Sequence, residues 1–66
     1  MREKRIDKLR RIIKEGQYAR INGVIVDVST AKIMCIVWDN MDEKKRELFQ
    51  KMDIRKLSDF CWSLTK

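Results

Sequence analysis

An α+β fold is predicted for this chain: one helix, a two-stranded β-hairpin and three further helices (αββααα), forming a single small domain over 1–66 that pairs with a second copy of itself. Three observations carry the prediction. Residues 2–15 are charged except along one stripe at helical spacing. The dipeptide Asn22-Gly23 stands between two short apolar stretches. From residue 30 to 65 apolar residues recur at helical spacing, broken by Asp and Asn at the places where helices start.

Within 2–15, Ile6, Leu9, Ile12 and Ile13 form the apolar stripe of an amphipathic helix. Gly16 follows the last apolar residue and suits a left-handed terminating position. Lys14 complements the negative end of the helix dipole. Residues 17–28 read as the hairpin, because a type I′ turn needs positive φ at both central residues and Asn-Gly supplies it. A two-residue loop sets Ile21 opposite Val24, Ala19 opposite Val26 and Gln17 opposite Val28 on the core face. Arg20 with Ile25, and Tyr18 with Asp27, fall on the other face.

Ser29 and Thr30 are expected to cap the next helix. The apolar run at 33–38 leaves strand and helix both open. Its β-branched residues suit a strand, whereas its length and its place after Ser-Thr suit a helix, and the reading adopts the helix. Ile33, Met34, Val37, Trp38 and Met41 then share a stripe, with Ile36 and Cys35 widening it. A helix apolar nearly all round is a buried one. A chain of 66 residues buries little on its own, so Ile33, Ile36, Val37 and Trp38 are the expected self-association surface. Asn40 or Asp42 is expected to cap a helix reaching about residue 51, with Leu48, Phe49 and Met52 inward. Asp53 is expected to cap the last, 54–65, with Leu57, Phe60, Cys61 and Leu64 inward and Trp62 off that stripe.

The stretches EGQYARINGVIVDVSTA, WDNMDEKKRELF and KLSDFCWSL resemble short proteins of tailed phages and prophages without an assigned function, over roughly residues 15–65. The resembling sequences carry helix formers such as alanine in the block matching 33–38, which supports the helix there. The resemblance implies a phage origin and a location in the host cytoplasm. It brings no catalytic motif.

The residues themselves point away from catalysis. The chain has no histidine, so the usual acid–base and nucleophile–base arrangements are missing. Two cysteines without histidine cannot make a structural zinc site, and no glycine-rich phosphate loop or calcium-hand pattern occurs. The carboxylates read as caps and solvated faces, and Cys35 and Cys61 as buried thiols of a reducing compartment. No enzyme, cofactor or metal is therefore expected. No leader-like apolar core and no span of about 18 apolar residues is visible, so a soluble cytoplasmic protein without membrane contact is expected.

Charge is the informative feature. The net charge is +6, and residues 2–15 hold seven basic against three acidic residues. Arg2, Arg5, Lys8 and Arg11, on the polar side of the first helix, are the candidate phosphate contacts, since a basic helix attracts a nucleic-acid backbone without reading sequence. The last two helices read better as a helical hairpin than as a helix-turn-helix presenting Arg55, Lys56, Ser58, Asp59, Ser63 and Lys66. Tyr18, Arg20, Ile25 and Trp62 are the candidate partner surface. The expected function is a non-enzymatic phage binding protein that docks on a host or phage protein. The alternative is sequence-independent nucleic-acid binding through the first helix.

Overall fold

The structure is a computed structural model and describes residues 4–65. Arg2 and Lys66 lie outside the described residues. The elements are α1 (Arg5–Glu15), β1 (Ala19–Ile21), β2 (Val24–Val26), α2 (Val28–Asp39), α3 (Glu43–Lys51) and α4 (Ile54–Ser63). The αββααα order is the expected one, and the run at 33–38 is helix.

α1 turns Ile6, Leu9 and Ile12 into the core and half-buries Ile13. It stops at Gly16, which sits at φ 69° and donates its N–H to Ile12 O at 2.9 Å. The hairpin turn has Asn22 at φ 49° and Gly23 at φ 80°, so both central residues occupy the left-handed region. The antiparallel register pairs Ala19 with Val26, Arg20 with Ile25 and Ile21 with Val24. Ile21 and Val26 are buried beneath it.

Two expectations fail where β2 ends. The pairs Gln17–Val28 and Tyr18–Asp27 do not form. Asp27 has already turned out of the strand to cap α2, in place of Ser29 or Thr30. Its carboxylate accepts from Thr30 N at 2.7 Å, and its carbonyl accepts from Ala31 N at 2.9 Å. Thr30 is consequently a buried helical residue, and its hydroxyl accepts from the Trp62 indole N–H at 3.1 Å. This bond fastens the end of α4 to the start of α2.

α2 packs on α1 and α4. It buries Ala31 and Met34 fully, while Ile33, Cys35, Val37 and Trp38 are half-buried against the core. Trp38 meets Phe49 edge-on, with ring centroids 5.1 Å apart. The Arg46 guanidinium lies 5.0 Å over the Trp38 ring, and its Nε donates to Trp38 O at 3.1 Å. Asp42 and Asp53 cap α3 and α4 by accepting from Lys45 N and Arg55 N.

The remaining core residues are Phe49 of α3 and Ile54, Leu57 and Cys61 of α4. Leu48, Phe60 and Leu64 do not point inward as expected. On α4 the positions Ile54, Leu57 and Cys61 form the inner edge of a wide apolar stripe, leaving Phe60 and Leu64 on its outer edge. Leu48 stands beside Phe49 in sequence but about 100° round the helix from it. Among the described residues, no helix is long and apolar enough to cross a membrane.

Candidate docking groove

The outer edges of three helices meet around one apolar depression. Ile36 of α2 is 62% exposed, Leu48 of α3 64%, Phe60 of α4 43% and Leu64, which caps the end of α4, 57%. Scattered exposed leucines are ordinary on a protein surface, but these four are not scattered. One hollow of about 340 Å³ is lined by Ile36, Val37, Asn40, Met41, Lys45, Phe60 and Leu64. A second, of about 180 Å³, is floored by Phe49, Met52 and Leu57 and edged by Leu48. Met41, Lys45 and Phe60 line both, so the two hollows adjoin and make one groove. A cavity near 150 Å³ already accepts a benzene-sized group. The groove therefore has room for several leucine- or ring-sized side chains.

Its electrostatics are one-sided. Lys45 is the one charged side chain, among the described residues, that lines either hollow. Residues three or four apart share a helix face. By that spacing Lys44, Lys45 and Lys51 flank Leu48, Lys56 flanks Phe60, and Lys32 flanks Ile36. All five lysines are exposed. The same spacing brings Asp39 beside Ile36, Glu43 beside Asn40 and Asp53 beside Leu57.

The residues singled out from sequence are distributed differently. Ile36 and Val37 line the groove, whereas Ile33 and Trp38 pack against the core of their own chain. Tyr18, Arg20 and Ile25 stand exposed on the hairpin. Trp62 is on α4 and is held by Thr30. Arg5 is a correction: it is buried, not on a polar face, and its guanidinium donates to the carbonyl of Phe49. Lys8 and Arg11 do come together with Arg20, along a cleft between α1 and β1 that also contains Glu15. Leu48, Phe60 and Leu64 were missed as site residues because helical periodicity reports an apolar face without saying what covers it. Lysines do stand at three- and four-residue spacing from Leu48 and Phe60, but basic residues flank the buried stripe of α1 as well, so that spacing alone does not separate an exposed stripe from a covered one.

The thiols are chemically quiet. Burial pushes Cys61 up to about 11, so it is protonated at neutral pH. Burial also raises Cys35, with Asp39 adding to the effect and Arg10 opposing it. Both cysteines are free. Among the described residues, no group of three His, Cys, Asp or Glu side chains is placed to hold a metal ion. No family model, characterised protein or solved structure matches this chain.

Proposed function

We propose that this protein is a non-enzymatic binding module that docks on another protein through the groove between α2, α3 and α4. The observation that carries this is the convergence of Ile36, Leu48, Phe60 and Leu64, each exposed, on adjoining apolar hollows. Contact surfaces are anchored by large apolar and aromatic side chains at their centre with a polar rim around them, and Phe60, with Lys45 on the groove lining and Lys56 one turn away, has that arrangement. A sequence without histidine and two protonated thiols add support for binding over catalysis. The resemblance to phage proteins supports a role on a host or phage target in the host cytoplasm.

A charge-neutral change in the groove tests this. Leu48→Ser with Leu64→Ser removes apolar surface without touching the buried core. The double variant should fold as the parent does and lose an amphipathic probe peptide that the parent binds. Retained binding of that peptide by the double variant overturns the reading.

A second reading, sequence-independent nucleic-acid binding, is favoured by one observation: Lys8, Arg11 and Arg20 line a common cleft. It predicts binding to mixed-sequence duplex DNA that survives at about 0.15 M ionic strength, with a slope of about −0.9 in log K against log salt for each phosphate contact. Binding of that kind, lost in Lys8→Gln/Arg20→Gln and kept in Leu48→Ser/Leu64→Ser, would move the function to this class.

A further inference from the structure

The groove is more selective than an apolar patch would be. Its lining comes from α2, α3, α4 and the turns that follow them, and neither strand of the hairpin lines it. An extended segment recognised by strand addition needs an open strand edge to bond to, and this groove offers none. A helix carries its own backbone hydrogen bonds and presents side chains in a stripe, which two adjoining hollows can receive. The five lysines Lys32, Lys44, Lys45, Lys51 and Lys56 outnumber the neighbouring carboxylates Asp39, Glu43 and Asp53, and they favour an acidic polar face on that helix.

We infer that the groove binds an amphipathic helix of another protein whose apolar stripe is flanked by glutamates or aspartates. This rests on the groove being the docking surface. The apolar stripe fills the two adjoining hollows, and the carboxylates on its borders meet the lysines of α2, α3 and α4. A second copy of the chain fits less well. The chain carries +6, and two copies face to face would bring each ring of lysines against the other. Nucleic acid would satisfy the lysines but has no apolar stripe to place in the hollows.

The test uses three designed helical peptides with one leucine stripe at i, i+3, i+4 and i+7, and polar faces of glutamate, glutamine or lysine. Binding to the full chain is measured by fluorescence anisotropy of labelled peptide at about 0.05 and 0.15 M salt. The glutamate peptide should bind at least tenfold tighter than the glutamine peptide, with the lysine peptide weakest and the spread narrowing in the higher salt. Leu48→Asp should abolish binding of the glutamate and glutamine peptides. Lys44→Glu/Lys45→Glu/Lys56→Glu should invert the order. Lys14→Glu/Arg20→Glu, which lowers net charge away from the groove, should leave the order intact.

Equal binding of the three peptides, or a preference lost equally in the Lys14/Arg20 variant, overturns the acidic-helix assignment while leaving the groove a docking surface. No binding by any peptide overturns the docking surface itself. A mass that doubles with concentration in the absence of peptide and returns to that of the monomer in Leu48→Asp would identify the occupant as a second copy, again against the assignment. Release of bound glutamate peptide from the groove by duplex DNA, together with failure of the Lys44/Lys45/Lys56 variant to bind that DNA, would overturn it in favour of nucleic acid.

Discussion

The guanidinium of Arg5 donates to the carbonyl of Phe49, 44 residues away, while the backbone N–H of Arg5 donates to the Gln50 side-chain oxygen at 3.0 Å. Arg5 opens α1, where an α-helix leaves its first N–H groups without partners. Phe49 is near the end of α3, where the last carbonyls are left in the same state. Each helix end therefore completes the other. A cation at a helix C-terminus also gains from the dipole. Burial lowers the Arg5 pKa from its ordinary value and the nearby Asp53 charge opposes the shift, but an arginine stays charged at any pH where the chain is folded.

Arg5→Ala is expected to destabilise the fold by about 1.5–3 kcal/mol, the range for a hydrogen bond from a charged donor. Lys14→Ala, an exposed charge on the same helix, should stay within about 0.5 kcal/mol of the parent. Urea melts of the two variants are the comparison. Similar small effects would show that the Arg5–Phe49 bond contributes nothing to stability.

Asp27 carries the pH dependence of the hairpin-to-helix junction. Its pKa is lowered, chiefly by the hydrogen bond from the Thr30 backbone N–H. A carboxylate with a depressed folded pKa stabilises above its unfolded value, near 4, and that contribution is lost as pH falls from there through the folded value. Asp27→Ala should cost about 1 kcal/mol at neutral pH. Asp27→Asn keeps a good cap without the titration, so its stability should fall less steeply than the parent's as pH drops below about 4. Parallel pH–stability curves for parent and Asn variant would refute this.

The turn should discriminate between side chains by backbone conformation alone. A Cβ at Gly23 would meet open space, so nothing but its φ of 80° resists substitution. Gly23→Val should cost about 1–3 kcal/mol, since a β-branched residue is strained there. Gly23→Asn should cost distinctly less, because asparagine tolerates the left-handed region. Chemical denaturation of both variants measures the gap, and equal midpoints would contradict it.

How much of this was legible varies with how local the cause is. Asn22-Gly23, Gly16 and Asp53 act within four residues of themselves, and each was readable from its neighbours; Asp42 was one of two caps the sequence left open, beside Asn40. Asp27 was not, because Asp27, Ser29 and Thr30 can all cap a helix and the choice depends on where β2 stops pairing. Arg5 was missed for a stronger reason. The partner that buries it is at the end of α3, and no periodicity within α1 announces it. The groove was half legible. Ile36 and Val37 were marked, but Leu48, Phe60 and Leu64 were assigned to the core because an apolar stripe wider than the contact beneath it looks the same in sequence as one fully covered.

That distinction between stripe and core gives the sharpest stability test. Leu48 and Phe49 are adjacent, both apolar, and both expected inward from sequence. Phe49 is almost wholly buried, edge-on to Trp38, and its removal leaves a cavity among Trp38, Met52 and the core. Phe49→Ala should therefore cost about 3–5 kcal/mol, a large part of what a domain of this size possesses, and the chain should be largely unfolded at 37 °C. Leu48→Ala removes side-chain atoms that already face water, so its cost should stay within about 0.5 kcal/mol. The two should also separate by readout. On the proposed docking role, Phe49→Ala should lower peptide binding both by depleting the folded state and by removing part of the groove floor, and added osmolyte should restore only the first part. Leu48→Ala weakens binding in a chain that is fully folded, and osmolyte should not restore it. Comparable losses of stability in the two variants would place Leu48 in the core and remove one wall of the groove.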